Sequence, residues 1–472
     1  MTFVRRNIWK LGTAANPWHP VTLAYAKAVR SMQALPISDP RSWRYQGAIH
    51  GLAGMAPPVG APWNECQHAT WYFLPWHRAY LYQFERIVRS FVVANGGPAD
   101  WALPYWNYEA ANSNSLPLAF RAPKLPDNTP NPLFVAARNG GTAAVSINKG
   151  ATIPGNVTTS SVAMAATDFT TPAVGNPVAF GGPRTGFAHF GPAPGLVENQ
   201  PHNIMHVVIG GQSGLMTDPD TAALDPIFWL HHANIDRLWE TWRLSPGRAN
   251  PTTSTWTNRS FRLRNEQGAS VRMRPKDVVD AKVQLDYTYD SITQPMGAAP
   301  AVVADSGSAV SGHKPVMVGR TDGPTALSVD GASAVVSVGD LPKRRRRRSA
   351  VAAVGDAVDM PRFHLELADI EGEGNPGVVY GVYVNLPPKP KDADLESHRV
   401  GLVSLFGIGQ STKRGEATQP LRYVFDITGH VSGAGDEVRV DLLPMDGVVK
   451  PRRGAAAAAP NVRVGTVAVH AS

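Results

Sequence analysis

Cysteine is nearly absent. Cys66 stands alone among 472 residues, so the chain can close no internal disulfide and can build no cysteine-based zinc site. Charged side chains are also scarce, at 17% against a usual quarter, while 43% of residues are hydrophobic; that balance supports a packed core and excludes wholesale disorder. No apolar run approaches the roughly 18–20 residues that cross a bilayer, so no membrane partner is expected. Internal repeats are lacking as well. The net charge of +8 is concentrated in one place, since Lys343 to Arg348 supplies six positive charges and leaves +2 for the rest. A near-neutral body with one basic tract lacks the broad footprint of a nucleic-acid-binding fold, and no nucleic acid is expected as partner. Arg5-Arg6 faintly resembles a twin-arginine export signal, but no apolar h-region follows it, so the expected location is the cytoplasm.

Glycine (44) and proline (41) are plentiful, and they fall unevenly. Helical spacing covers residues 21–35, about 70–93, 201–208 and 225–244. Between Asn112 and Gln200 the chain is rich in Pro, Gly, Asn, Ser and Thr, and a loop of that length is usually functional or flexible. Residues 297–312 read as a linker. Beyond it, short β-type runs bounded by turn residues include 326–338, 363–370, 378–386, 400–406, 421–427 and 437–443. Residues 453–460, with five alanines, read as a connector before a last short strand. The predicted fold class is multi-domain α + β. An α-helical bundle catalytic domain with long loops (1–296) precedes a C-terminal antiparallel β sandwich or barrel domain (313–472).

Against one cysteine stand fourteen histidines, so any metal chemistry rests on imidazole. His68 and His77 flank the start of an aromatic-rich helix; each alone reads as an ordinary satisfied histidine. His202 and His206 form an i, i+4 pair, the spacing that lets two imidazoles meet one metal, although a solvated polar face gives the same pattern. His231 and His232 sit in apolar helix sequence, where buried imidazoles need partners. The five histidines after residue 300 carry no metal spacing. An all-imidazole set suits copper and disfavours magnesium, calcium and carboxylate-based hydrolase chemistry. It leaves the metal charge uncompensated, which favours a reduced ion.

Together these segments resemble the type 3 copper family of tyrosinases, polyphenol or catechol oxidases and hemocyanins. His68, Phe73, Trp76, His77, Arg78, Leu81 and Glu85 match its copper A signature; Asp225, Pro226, Phe228, Trp229, His232 and Asp236 match its copper B signature. Pro104-Tyr105-Trp106, Asn131-Pro132-Leu133, Gly210-Gly211 and Tyr287-Thr288-Tyr289-Asp290 look like further landmarks. The resemblance spans residues 3–290. It implies one copper held by His50, His68 and His77 and a second by His202, His206 and His232, with dioxygen as co-substrate and a small phenol as substrate. The match around His50 is short. His231 then points elsewhere, and His231, Asp236 and Arg78 become candidates for orienting the ligand rings, the last two also fitting a plain ion pair.

The resemblance also implies a thioether between Cys66 and His68, against the alternative of a free buried thiol. Phe228 is a candidate to stack on an aromatic substrate above copper B, or else ordinary core. Glu198 and Asn203 match the pair that holds a water thought to deprotonate monophenols; the plain alternative is that Glu198 caps a helix. Larger members of the family carry a C-terminal β domain that covers the pocket and keeps the enzyme latent, and residues 363–386 look like such a domain. Lys343 to Arg348, with Ser349, read as an exposed loop, a trypsin-like activation site or an acidic-partner site. The implied activity is o-hydroxylation of monophenols such as tyrosine and oxidation of o-diphenols to o-quinones. A catechol or o-aminophenol oxidase without hydroxylase activity and a hemocyanin-like oxygen carrier are the other readings. Oligomeric state is not legible.

Overall fold

The structure is a computed structural model that describes residues 2–13, 15–141, 143–171, 179–293, 315–339, 362–412, 419–431, 436–445 and 461–472. The expected linker 297–312, the basic run with Ser349 and the alanine-rich stretch 453–460 lie outside the described residues.

Five helices carry the first part: α1 (Pro20–Ala34), α2 (Trp43–His50), α3 (Phe73–Ala94), α4 (Ile204–Gly210) and α5 (Ile227–Arg243). Their starts are locally encoded. The His19 side chain accepts from the Val21 amide with Pro20 in the first turn, and Ser42 accepts from the Tyr45 amide. Asp225 accepts from the Ile227 amide at 3.1 Å. Apolar faces then bring α3 and α5 together, Phe84 stacking on Trp229 and Tyr80 leaning on the same ring. Trp43 meets both Phe84 and Trp229 edge-on and docks α2 against that pair. Helix α2 is absent from the sequence reading, because eight residues are too few to establish a period.

The long stretch from Asn112 to Gln200 is mostly irregular, with short helices at Leu118–Arg121, Gly155–Thr158 and Ser161–Ala165. It is anchored at defined points. Arg138 forms a fully buried two-pronged pair with Asp225, at 2.9 and 2.7 Å, which fixes the entry to α5. Farther along, the His68 amide donates to the His189 carbonyl at 3.1 Å and the Gly191 amide to the His68 carbonyl at 2.8 Å.

A buried ion cluster ties the ends of the helical part together. Strand Phe3–Arg5 runs parallel to Tyr287–Tyr289. Asp236 accepts from Arg78, from Arg5 at 3.1 Å, and from the hydroxyls of Tyr287 (2.6 Å) and Tyr289. Arg5 also reaches Glu85 at 2.7 Å, and Arg78 reaches Glu240 at 3.2 Å.

Among the described residues the C-terminal part is one antiparallel sheet of nine strands: β1 (Val316–Arg320), β2 (Thr325–Leu327), β3 (Ala332–Val338), β4 (Phe363–Gly372), β5 (Val379–Val384), β6 (Arg399–Ser404), β7 (Leu421–Asp426), β8 (Glu437–Pro444) and β9 (Val462–Ala471). The order is β6-β5-β8-β3-β1-β9-β4-β7, with β2 added on β9. The two end strands meet, Tyr423 on β7 donating its hydroxyl to the Ser404 carbonyl on β6 at 2.5 Å, so the sheet nearly closes into a barrel. The last strand, expected to be short, has ten residues and pairs with both β1 and β4. Alternating residues such as Leu365, Leu367, Val440 and Val464 fill its own core. Val379, Leu402, Phe406 and Met445 instead join the core of the helical part.

Burial opposes ionisation of Asp236, but Arg78, Arg5 and the two tyrosine hydroxyls outweigh it and hold its carboxyl below the usual range. Asp236→Asn should therefore cost about 3–5 kcal/mol at neutral pH, because two guanidiniums lose a buried partner. A carboxyl with a depressed pKa contributes stability that is complete above the unfolded value, near pH 4. The difference between variant and parent in denaturant titrations should shrink as pH falls below that value.

Candidate metal centre

Six histidines from four helices and two irregular segments converge in the helical core, all buried. His50 ends α2, His77 lies in the first turns of α3, His206 is on α4 and His232 on α5. His68 is held in an extended stretch against Phe190, and His202 sits in an irregular turn just before α4. That turn breaks at Gln200, which precedes Pro201 and adopts an extended backbone, as residues before proline do.

One nitrogen of most of these rings is fixed by a nearby acceptor. Nδ1 of His50 meets the Pro219 carbonyl, Nδ1 of His77 the Phe73 carbonyl and Nδ1 of His206 the Met216 carbonyl, each at 2.8 Å. Nδ1 of His202 meets Oδ1 of Asn203, also at 2.8 Å. An N–H donated to these acceptors leaves Nε2 as a bare lone pair. Nε2 of His50, His68 and His77 is buried with no hydrogen-bond partner among the described residues. Nε2 of His232 lies 3.3 Å from that of His202 and 3.4 Å from that of His206. Metal–imidazole bonds of about 2.0–2.1 Å put nitrogens roughly 3.3–3.6 Å apart around one ion, so this trio has the spacing of a ligand set. The first trio lies beside it, with the ligand atoms of His50, His77 and His232 mutually within 4.8 Å. The His77 and His232 rings stack at 4.5 Å across the two trios. Burial, reinforced for most of the rings by neighbouring histidines, lowers the pKa of all six, His77 to about 3. They are therefore neutral, which is the ligating form.

The other predicted residues are placed as follows. Cys66 Sγ lies 3.3 Å from Nδ1 of His68, but equally 3.3 Å from Nδ1 of His189, a neighbour with no signal in the sequence. Burial, with smaller effects from Asp220 and Glu198, raises the thiol pKa. Glu198 is no helix cap: its Oε1 accepts from the Ala69 amide at 2.7 Å, 129 residues away in sequence. Burial raises its pKa to about 8, against the opposing backbone bonds of Ala69 and Gly195. Asn203 spends its Oδ1 on His202. His231 is buried with its ring parallel to His202 at 5.3 Å and near His206 at 5.1 Å, so it packs on the ligand rings without bonding them.

Two expectations change. Phe228 is fully buried among His50 (4.9 Å), His232 (4.1 Å) and His206 (5.9 Å), packing the ligand rings and offering no free face to a substrate. Arg78 and Asp236 bond each other, not the ligand rings, because Arg78 points into the ion cluster behind α3; backbone carbonyls and Asn203 do the orienting.

Sequence reasoning also missed Phe406. It lies just beyond β6, in the β domain, and stacks on His206 at 4.1 Å while standing edge-on to His68 (5.5 Å) and His202 (5.7 Å). The following residue, Gly407, turns the chain at φ +79°, and a Cβ there would lie 2.2 Å from the Phe190 ring, so only glycine allows this approach.

Comparison with known proteins agrees with this site. The family model for the common central domain of tyrosinase matches residues 40–245, and that of a domain of unknown function matches residues 314–472. Tyrosinase HcTyr1 of Hahella sp. is 35% identical over 93% of this chain and 95% of its own. The latent-form chloroplastic polyphenol oxidase of Prunus armeniaca is 28% identical over 90% of this chain and 72% of its own. In fold, latent apple tyrosinase superposes with a TM-score of 0.62 at 23% identity, covering 100% of this chain and 97% of that one. These relatives overturn the cytoplasmic expectation, since those of Prunus armeniaca and Malus domestica are named chloroplastic. A missing apolar h-region bears only on secretion, because transit peptides are amphipathic and carry none. No described helix is long and apolar enough to cross a membrane. The histidine geometry, the tyrosinase central domain and near full-length similarity to a tyrosinase lead to one conclusion: the chain belongs to the type 3 copper tyrosinase and polyphenol oxidase family, enzymes that oxidise phenols with dioxygen at a pair of copper ions.

Proposed function

We propose that this enzyme both hydroxylates monophenols at the ortho position and oxidises o-diphenols to o-quinones, and that its β domain keeps it latent. In this reading residues 1–296 are the catalytic domain and 313–472 its cover, joined by 297–312. His50, His68 and His77 hold one copper; His202, His206 and His232 hold the other. The copper pair supplies the binding and activation of dioxygen.

The observation that carries the hydroxylase reading is the buried Glu198 carboxylate. One oxygen is tied to the Ala69 amide, next to His68, while the other has no hydrogen-bond partner among the described residues. A phenol ionises near pH 10; Glu198, ionising only at about pH 8, is mostly protonated at pH 7, but its ionised fraction is a base better matched to a phenol than an ordinary carboxylate. Asn203 keeps the His202 ring in the tautomer that bares Nε2. Phe406 occupies the face of His206 that an aromatic substrate would need, and its burial with Leu402 closes the pocket. Latency follows from that competition for one space.

The thioether fits the same site. Joining Cys66 to a ring carbon of His68 replaces the S–H and C–H bonds by one S–C bond, and the two electrons and two protons released go to dioxygen. His68 is then tethered from a second direction.

Three measurements check these readings. Glu198→Gln should lower tyrosine hydroxylation about 10²–10⁴-fold, the usual worth of a positioned base, while dopa oxidation changes only several-fold; equal losses would assign Glu198 a structural role and favour the catechol-oxidase reading. Phe406→Ala forfeits roughly 2–3 kcal/mol of buried contact, so phenol turnover by the unproteolysed chain should rise about 30- to 150-fold. Unchanged turnover would remove latency from the proposal. For the cross-link, the copper-loaded protein exposed to dioxygen should be lighter than its sequence mass by two hydrogen atoms and resist thiol alkylation after denaturation. A freely alkylated Cys66 would show that the bond does not form.

A further inference from the structure

Phe406 is not the only place where the β domain reaches the copper ligands. Among the described residues, three of the hydrogen bonds that cross this interface end on a segment that carries or orients a ligand ring. Asn199 Nδ2 donates to the Leu402 carbonyl at 3.1 Å, and Ser404 Oγ donates to the Asn203 carbonyl at 3.1 Å. Gln410 Nε2 donates to Asp218 Oδ1 at 2.5 Å. Asn203 holds the His202 ring through its own side chain. Asp218 directly precedes Pro219, whose carbonyl holds His50, and lies two residues after Met216, whose carbonyl holds His206. This turn is tightly packed: a Cβ on Gly51, next to His50, would come within 2.4 Å of the Pro219 carbonyl oxygen. A shift of the turn would therefore move the acceptors of one ligand from each trio at once.

We propose that Ser404 and Gln410 are positioning residues for the copper pair, so that the β domain completes the hydrogen-bond shell of the ligands as well as covering them. Ser404 acts through Asn203 on His202, and Gln410 acts through the 216–219 turn on His50 and His206. Closing the domain fixes the carbonyls that hold the rings in their ligating tautomer, and fixed rings bind metal more tightly than rings that must be ordered on binding. Coupling of this kind is reciprocal: whatever factor closure adds to copper affinity, bound copper adds to closure. Latency and copper retention are then two readings of one interface, and an opened, active chain holds its copper less tightly.

The inference rests on the ligand assignment above, and the test separates the two. Copper-loaded full-length protein is reduced without oxygen and equilibrated with a chromogenic cuprous chelator, bathocuproine disulfonate, and the partition of copper is read from the chelate colour. Partition at equilibrium reports affinity and is blind to how easily metal escapes through an open pocket. Ser404→Ala and Gln410→Ala should each shift the partition toward the chelator by about 10-fold, the low end for loss of an outer-shell partner. Ser404→Thr, which keeps the hydroxyl, should restore it. A parental partition in both alanine variants, even with faster exchange, would overturn the inference and leave the β domain as a cover only. His50→Ala and His206→Ala serve as the reference for the ligand assignment, each expected to lower the copper content from two per chain to one. Were they to keep two, the ligand assignment itself would fail.

Discussion

Everything in the catalytic part depends on keeping six imidazoles neutral, buried and aimed at two points. Each ring is a polar group taken out of water, and a buried ring nitrogen without a partner costs free energy unless a metal satisfies it. For four of the six rings the chain satisfies one nitrogen with a fixed acceptor, the carbonyls of Phe73, Met216 and Pro219 and the side chain of Asn203. It leaves the bare Nε2 atoms of those rings to the metal. Helix starts, the irregular turn at 198–203 and the anchored loop around His68 all serve to bring those acceptors to the correct side of each ring.

The same constraint explains the second domain. An open face over His206, His202 and His68 would expose an apolar, reactive surface to water. Phe406 covers that face from a strand end of the β barrel, and Gly407 turns the chain tightly enough to let it in. The cover is held by hydrogen bonds and by apolar residues, Val379, Leu402, Phe406 and Met445, that join the core of the helical part. On the proposed reading enclosure and access are opposed, because a substrate stacking on His206 would need the volume that Phe406 fills.

Much of this was legible in the sequence, and the reason differs by element. The copper B helix was readable because its residues follow one another along a single helix from Asp225 to Asp236. His202 and His206 were readable through their i, i+4 spacing. Helix α2 was not, since eight residues carry no period, and His50 rested on a short match at its end. Arg78 and Asp236 lie in ligand-bearing helices but point away from the metal, and adjacency in sequence cannot say which way a side chain turns. Phe228 carried the same ambiguity, which the three imidazoles packed around it resolved. Phe406 had no local signature: an aromatic residue at a strand end reads as ordinary core until the facing domain is known.

The sequence by itself determined the chemistry. With one cysteine, few carboxylates near the histidines and two histidine-bearing signatures, it restricted the site to imidazole-bound copper and the family to phenol-oxidising enzymes and their oxygen-carrying kin. The preference for an imidazole-bound metal comes from residue types and short spacings, and the family and its activity from the resemblance of the two signatures; both survive without coordinates. Only the tertiary structure decided which nitrogen of four of the rings is held and by what, that Glu198 reaches Ala69 and caps no helix, and that a ring from residue 406 packs on histidines placed before residue 240. These are contacts between segments far apart in the chain, set by the packing of helices and barrel, and local sequence carries no record of them.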